Sequence, residues 1–276
     1  AAGAETSSNF FIGFLFLPKA KREALSPVYA YCRIIDDIVD SGALRKEEAR
    51  RMLGFWREEV ERLYQGRPTH SISQALLPHV RAFSLPQDAF LEMIRGCQMD
   101  LDKTRYETLE ELESYMEGVA SSVGRLSVAI FGTSHTAPDK VQEFARLFGL
   151  AFQLTNIIRD VGVDLELGRV YLPAADMKEA GYASGDLELR VHNEAFDRLM
   201  EVQYKRAKLY YRRARSLIDF RDRPGLLAAE VMAHIYEALL DEIKAGGFRI
   251  LFQKHRLSGW RKAKLAARAW AYCHGF

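Results

Sequence analysis

Apolar residues recur at helical spacing in eight long stretches of this 276-residue sequence, and this periodicity constrains the fold more than any other feature. Several of the prolines lie at joints between the stretches. The one short strand-like segment, GRVYLP, is interpreted as a loop. We predict helices at 9–16, 19–41, 46–65, 71–83, 87–102, 108–131, 139–163, 189–219, 225–246 and 260–272. The pattern predicts one all-α domain over residues 1–276.

The composition is typical of a soluble globular protein, with 48% hydrophobic residues, 28% charged residues and a formal net charge of +2. This small charge gives no reason to expect a nucleic-acid partner. No apolar run is long enough to cross a bilayer, and no signal-peptide pattern opens the sequence. Cys32, Cys97 and Cys273 are widely spaced without a CxxC pair, which predicts reduced thiols in a cytoplasmic protein.

Three aspartates lie in the apolar stretch YCRIIDDIVD, residues 31–40. On a helix with about 100° between residues, four polar side chains fall within roughly 60° of one another: Tyr29, Arg33, Asp36 and Asp40. Asp37 lies beside this stripe, and most of the remaining circumference is apolar. Burying carboxylates is costly unless they are paired. The stripe therefore predicts a buried helix that faces a polar internal cavity, and the alternative is a solvated acidic patch.

A second stretch, FQLTNIIRDVGVD at residues 152–164, has the same design. Four side chains occupy roughly 80° of its helical face: Gln153, Asn156, Asp160 and Asp164. Oxygen ligands in such a row suit a hard cation such as Mg²⁺, which also binds phosphate oxygens. No histidine is close in sequence to either stripe, and neither has the Glu-x-x-His ligands of a di-iron bundle. We therefore favour Mg²⁺ with a diphosphate over redox iron; the alternative is two unrelated surface stripes.

The two stretches, with GCQMDLDKTRY and YMEGVASSVGRLSVAIFG between them, resemble the squalene/phytoene synthase family of head-to-head prenyl transferases. The resemblance covers about residues 7–270 and implies an isoprenoid-synthase-type helical bundle around a central cavity. Within the family, three segments resemble bacterial presqualene diphosphate synthases of the hopanoid and squalene pathways: SSNFFIGFLFLP, WREEVERLYQGRPTH and QMDLDKTRYETLEEL.

The resemblance implies that two aspartate clusters hold several Mg²⁺ ions against the diphosphates of two prenyl donors. The metal ligands would be Asp36, Asp40, Asn156, Asp160 and Asp164. The four aspartates of these clusters would share the catalytic role with Tyr29, Arg33, Tyr171 and Tyr236. Arg159, beside Asp160, is interpreted as structural or phosphate-adjacent.

Other side chains would contact the substrates. Arg33 could bind a phosphate or form a structural salt bridge, and Arg169 and Tyr171 match positions that reach the diphosphate from a flap. Tyr29 and Tyr236 match aromatic positions near the reacting carbons, where a ring face stabilises a carbocation. Gln153 and Asn156 are further substrate-binding candidates.

Residues 115–124 match a family helix that lines the prenyl channel. Its small residues would leave room for a chain, which Tyr115, Val119 and Val123 would contact; close helix packing explains the glycines nearly as well. Asp100 matches a further acidic position of the family, with a supporting role toward metal or water. Val163 stands where many members have an acidic residue, and Phe11 and Ile12 stand where many have tyrosines.

The implied reaction joins two farnesyl diphosphates into presqualene diphosphate and releases diphosphate. The alternatives are a complete squalene synthase, which would need NADPH, a dehydrosqualene synthase, a phytoene synthase that uses geranylgeranyl diphosphate, and a non-catalytic lipid-binding or assembly homologue. The expected partners are prenyl diphosphates and downstream pathway enzymes.

The tail KHRLSGWRKAKLAARAWAYC is basic, with Trp260, Leu265 and Trp270 interleaved. We hypothesise peripheral membrane contact through this C-terminal helix. The alternative is a terminal helix that simply packs on the domain.

Overall fold

The computed structural model describes residues 12–40 and 44–276, and it is helical along most of this length. Its α-helices are α1 (Lys19–Asp40), α2 (Lys46–Tyr64), α3 (Ser71–Ala82), α4 (Gln87–Asp102), α5 (Leu109–Met116), α6 (Ser122–Phe131), α7 (Pro138–Glu166), α8 (Ala174–Glu179), α9 (Ser184–Glu188), α10 (Glu194–Leu217), α11 (Leu227–Ala245) and α12 (Gly259–His274). A π-helical turn, Glu117–Ser121, joins α5 to α6, and a 3₁₀ helix, Phe220–Leu226, precedes α11. The all-α prediction is confirmed.

Three predicted helices differ from the structure. The segment 108–131 is interrupted by the π-helical turn, where Gly118 packs against Gly96 of α4. The helix predicted at 189–219 begins at Glu194, because the side chain of Asn193 caps it by accepting a hydrogen bond from the backbone N–H of Phe196. Of the segment 9–16, residues 12–14 are helical and the next two form a turn, whereas 9–11 lie outside the described residues.

The segment GRVYLP is a loop, as predicted, apart from an isolated bridge at Val170. Gly168 has a positive φ of 74°, a conformation that glycine adopts without strain, and it ends α7. Val170 then donates its backbone N–H to the carbonyl of Thr104 at 2.8 Å, and it forms an isolated parallel bridge with Arg105 in the loop after α4. This flap, residues 168–173, therefore returns along the end of α4.

The buried apolar residues form one continuous cluster that extends from Phe14 to Cys273. Glycines allow two close helix contacts within it. A Cβ on Gly118 would lie 2.6 Å from the Cα of Gly96, and a Cβ on Gly149 of α7 would lie 2.5 Å from the backbone of Ser121. The three cysteines are buried and unpaired. No helix within the described ranges has the length and apolar character needed to cross a bilayer. The one-domain assignment stays a prediction.

Candidate active site

A cavity of about 190 Å³ lies inside the helical bundle, and α1, α4, α6, α7 and α11 contribute to its wall. Most of the wall is apolar, with aromatic rings from Phe131, Phe144, Phe148 and Phe152. The volume is far larger than the roughly 10–15 Å³ that one water molecule needs. A cavity of this size and lining suits the apolar part of a ligand.

Both predicted polar stripes reach this cavity. Tyr29, Arg33 and Asp36 line it from α1, and Gln153 and Asn156 line it from α7. The two stripes therefore belong to one site, and the alternative of two unrelated surface patches is wrong. The cavity combines an apolar wall with a cluster of oxygen-bearing side chains.

Neighbouring Asp36 and Asp37 have opposite environments. Asp37 is exposed and forms an ion pair with Arg33 at 3.1 Å. The carboxylate of Asp36 faces the cavity and accepts a weak hydrogen bond from the thiol of Cys97 at 3.6 Å. Burial, reinforced by the negative charge of Asp40, raises the pKa of Asp36 to about 7. The predicted difference between these two aspartates is observed.

Asp160 and Asp164 lie one and two turns beyond Asn156 on α7, past the part of the helix that lines the cavity. The buried guanidinium of Arg159 holds Asp160 through a hydrogen bond from Nε to Oδ1 at 2.8 Å. Burial and then the charge of Asp160 raise the pKa of Asp164 to about 8. Arg159 is thus a structural partner of the second cluster, which is one of its two predicted roles.

The flap joins the two acidic clusters. Arg169 donates from Nη1 to Oδ1 of Asp40 at 2.7 Å, and the charges of Arg169 and Asp40 both influence the pKa of Asp164. The ends of α1 and α7 therefore lie within electrostatic range of one another. Arg169 was predicted to contact a diphosphate, and here its charge is balanced by a carboxylate of the first cluster.

A buried group of tyrosines surrounds Asp100 beside the flap. Tyr115 donates its hydroxyl to Asp100 at 2.9 Å, Tyr171 donates its own at 3.1 Å, and their rings stack with centroids 5.1 Å apart. Burial raises the pKa of Asp100 to about 6, and Arg169 opposes this effect. Tyr115, predicted to contact a prenyl chain, does not line the cavity; its hydroxyl is directed to Asp100 because a buried hydroxyl needs a partner.

The channel segment 115–124 serves two purposes. Val119 and Val123 line the cavity, as the resemblance implied. Gly118 lies outside the lining and provides close contact with another helix. Tyr236 lines the cavity from α11 and packs edge-to-face on Phe152 at 5.1 Å. Within this segment, Val119 and Val123 therefore belong to the cavity wall, and Gly118 belongs to a close helix contact.

Several lining residues were missed in the sequence, among them Phe14, Met93, Ala228, Ala229 and Met232. An apolar side chain at helical spacing has the same pattern whether it faces a packed core or a cavity. The pair of alanines at the start of α11 was the available signal, because small residues leave space. Of the noted departures, Val163 is half-buried, Ile12 packs on the core, and Phe11 lies outside the described residues.

The donor set fits a hard divalent cation. Asn156 Oδ1 is buried without a hydrogen-bond partner, and the carboxylates Asp160 and Asp164 follow it on the same stripe. In the described part of the chain, no three His, Cys, Asp or Glu side chains converge on a common point. Asp40 and Asp160 are instead held by arginines. The residues therefore suit an ion that takes part of its coordination from a phosphate ligand.

The model of the squalene/phytoene synthase family matches residues 4–262. The chain is 33% identical to the 15-cis-phytoene synthase of Synechocystis sp., over 97% of this chain and 82% of that protein. It is 36% identical to the presqualene diphosphate synthase of Zymomonas mobilis, over 88% of this chain and 82% of that protein. The crystal structure of a dehydrosqualene synthase with a ligand superimposes with a TM-score of 0.86 at 28% identity, covering 99% of this chain and 94% of that one. The fold, and the two polar stripes that reach one cavity, agree with this match, and the chain belongs to the squalene/phytoene synthase family of head-to-head prenyltransferases.

Proposed function

We propose that this protein condenses two farnesyl diphosphates into presqualene diphosphate, for the synthesis of squalene or hopanoids. One observation carries the proposal: an apolar cavity that reaches Asp36 and Asn156, with the rest of both acidic stripes beyond them. The apolar wall suits the prenyl chains of the donors, and the oxygen-bearing side chains suit their charged diphosphates together with a metal ion. Kinship with presqualene diphosphate synthases supports the choice of reaction.

Five residues would hold Mg²⁺: Asp36, Asp40, Asn156, Asp160 and Asp164. When bound, Mg²⁺ supplies charge neutralisation for a leaving diphosphate. The raised pKa values of Asp36 and Asp164 support this assignment, because uncompensated carboxylates in a buried cluster repel one another.

The side chains of the protein would then orient the diphosphates. Arg33 lines the cavity beside Asp36. Arg169 lies on the flap, with its side chain 15% exposed, and it would exchange the carboxylate of Asp40 for a phosphate oxygen. Arginine suits this role because its planar guanidinium binds phosphate through two parallel hydrogen bonds.

Carbon–carbon bond formation would take place in the apolar part of the cavity. The C1–O bond of one donor breaks, and its electron pair leaves with the diphosphate. The C2=C3 bond of the second donor attacks C1, and loss of a proton closes the cyclopropane while the second diphosphate is retained. Tyr29 and Tyr236 would stabilise the cation with their ring faces, and the aromatic wall would exclude water that quenches it.

The released diphosphate is the base that we propose for this proton. No histidine lines the cavity formed by the described residues. The three cysteines are buried and unpaired, which supports the cytoplasmic location that we propose for the enzyme.

The test is incubation with farnesyl diphosphate and Mg²⁺, with and without NADPH, followed by mass spectrometry of the products. A C30 cyclopropyl diphosphate in both reactions supports the proposal. Squalene that appears only when NADPH is present indicates a complete squalene synthase, and dehydrosqualene without NADPH indicates a dehydrosqualene synthase. Absence of any product, both with farnesyl diphosphate and with geranylgeranyl diphosphate, contradicts an enzymatic function.

A phytoene synthase is the second candidate, because several relatives at about the same identity carry that name. A parallel incubation with geranylgeranyl diphosphate distinguishes it, since only a phytoene synthase would prefer the C20 donor. A non-catalytic homologue is disfavoured because all four stripe aspartates are present: Asp36, Asp40, Asp160 and Asp164.

A further inference from the structure

The C-terminal segment differs sharply in charge from the rest of the chain. No acidic residue follows Glu242, and residues 243–276 contain eight lysines and arginines. Since the whole chain carries a net charge of +2 and its last 34 residues carry +8, the first 242 residues carry −6. Positive charge is therefore concentrated in the segment that contains α12 and the loop before it, although Lys244 and Arg261 pair with Glu201 and Glu242.

The helix α12 has two apolar faces. Leu265, Ala266, Ala269 and Cys273 are buried where the helix packs on α11. On the outer side, four exposed residues follow one another at spacings of three, four and three, which places them on one face: Trp260, Ala263, Ala267 and Trp270. The sequence hypothesis grouped Leu265 with the tryptophans, and the structure places it on the inner face instead.

Aromatic side chains and cations alternate on this outer face, which we define by Trp260, Ala263, Lys264, Ala267, Arg268 and Trp270. Trp260 is 72% exposed and Trp270 is 45% exposed. The ammonium of Lys264 lies 5.4 Å from the ring of Trp260, and Arg268 is exposed beside it. The ring of Trp270 stacks on Phe276, which is 88% exposed.

We propose that the outer face of α12 binds the surface of a membrane that contains anionic lipids. Tryptophan prefers the boundary between headgroups and acyl chains, and lysine and arginine attract anionic headgroups. Both kinds of residue occur here on one exposed helical face. The helix would lie in the plane of the interface, since no helix among the described residues can span a bilayer.

The charge also argues against a second copy as the occupant. A two-fold dimer across this face would bring the same strongly positive segment of both chains together. A nucleic acid would bind the lysines and arginines of this face, but it would gain little from tryptophans exposed on a rigid helix. The proposal concerns an interaction surface and is independent of the reaction proposed above.

Co-sedimentation of the full chain with vesicles tests the proposal. We expect binding to mixed phosphatidylcholine–phosphatidylglycerol vesicles, little binding to phosphatidylcholine alone, and weaker binding as salt increases. The double variant Trp260→Ala/Trp270→Ala and the double variant Lys264→Gln/Arg268→Gln should each lower the partition coefficient by roughly tenfold or more. Leu189→Ala is the matched control, because Leu189 is 78% exposed and lies outside α12; it should bind like the wild type.

Tryptophan fluorescence gives a second readout. The chain has three tryptophans, and Trp56 is only 2% exposed. A blue shift and quenching by brominated lipid would therefore report on Trp260 and Trp270. Circular dichroism checks that the variants are folded.

Four results would overturn the proposal. The first is absence of binding to anionic vesicles. The second is vesicle binding that the tryptophan variant leaves unchanged. The third is equally tight binding to a DNA duplex, which would indicate a general polyanion site. The fourth is a dimer that dissociates in the tryptophan variant, which would make this face a contact between copies.

Discussion

At the scale of single residues, position on the helix decides what each carboxylate can do. Asp36 and Asp37 are adjacent in sequence, but a step of about 100° around α1 sends one side chain into the cavity and the other to solvent. Burial raises the pKa of Asp36 to about 7. Exposed Asp37 only pairs with Arg33. The same chemical group thus has a proposed catalytic role at one position and a structural role at the next.

The variant Asp36→Asn tests this difference, with Asp37→Asn as the matched control. We expect Asp36→Asn to lower the turnover of prenyl diphosphate by at least about 100-fold, because it removes a charge from the proposed cation site. Asp37→Asn should stay within a few-fold of the wild type. Steady-state release of diphosphate measures both, and equal turnover of both variants would contradict the assignment.

The same substitution should stabilise the metal-free protein. The folded-state pKa of Asp36, about 7, is above its ordinary value of 3.8. The cost of ionising this residue in the folded state therefore grows as pH rises from about 4 to 7 and is complete above pH 7. We expect Asp36→Asn to raise the free energy of unfolding at pH 8 by on the order of 1 kcal/mol, with no gain near pH 4. Urea denaturation at both pH values measures this, and a loss of stability at pH 8 would argue against the burial cost.

At the scale of the elements, close approach of backbones sets the shape of the cavity. Gly118 in the π-helical turn meets Gly96 of α4, and Gly149 of α7 meets Ser121. These contacts hold the turn against its neighbours, and the following residues Val119 and Val123 then face the cavity. A π-helical turn shifts the register of a helix and is frequent at functional sites.

Gly118→Ala should therefore destabilise the protein, and Gly54→Ala in α2 is its control. A Cβ at position 118 would lie 2.6 Å from the Cα of Gly96, whereas a Cβ at position 54 would have nothing within 4 Å. We expect Gly118→Ala to cost about 1–3 kcal/mol and Gly54→Ala to gain up to about 1 kcal/mol through helix propensity. Thermal melts compare them, and equal melting temperatures would contradict the close contact.

A buried carboxylate ties the loop after α2 to that helix. Glu59 is fully buried; it accepts hydrogen bonds from Arg62 and from the backbone N–H groups of Thr69 and His70, the last two at 2.7 Å. Burial alone would raise the pKa of Glu59, but these hydrogen bonds outweigh it and lower the pKa to about 2. The carboxylate is thus a stabilising clamp.

We expect Glu59→Gln to cost roughly 3–5 kcal/mol at pH 7, because it leaves buried donors without a charged acceptor. A folded-state pKa below the ordinary 4.5 means that this stabilisation is complete above about pH 4.5 and is lost as pH falls toward 2. Denaturant unfolding at pH 7 and pH 3 should show the cost shrink in acid. Glu58→Gln is the neighbouring control, since Glu58 is 71% exposed, and it should change stability by less than about 1 kcal/mol.

At the scale of the whole molecule, the acidic site keeps an excess of negative charge although arginines pair with Asp40 and Asp160. Asp36, Asp100 and Asp164 all have raised pKa values, and the first 242 residues carry a net charge of −6. A ligand that supplies positive charge to this cluster should stabilise the folded state, because it binds the folded protein and not the unfolded chain.

Mg²⁺ together with inorganic diphosphate should raise the melting temperature by several degrees, since saturation at about 100 times the dissociation constant contributes about 2.7 kcal/mol. Either component alone should have a smaller effect, because the ion is expected to need phosphate oxygens to complete its coordination. The shift should vanish in Asp36→Asn and persist in Asp37→Asn. A shift of the same size in both variants would place the binding elsewhere.

The sequence by itself determined the local structure and the polar stripes. Helical periodicity identified the long helices, because hydrophobic spacing reflects which side of a helix is buried, but it did not predict the short helices α8 and α9. The stripes at 29–40 and 153–164 followed from the angle between residues, and motif resemblance then gave the family. All of these are properties of one segment at a time.

Only the tertiary structure decided how the stripes are partnered. It pairs Arg169 with Asp40 and Arg33 with Asp37 through ion pairs. It also directs the hydroxyl of Tyr115 to Asp100 through a hydrogen bond. It also separated the cavity-lining Val119 from the packing residue Gly118, and turned Trp260 outward while Leu265 faces inward. The physical reason is that periodicity tells which face of a helix is apolar, whereas burial, pairing and pKa depend on what the neighbouring helices present to that face.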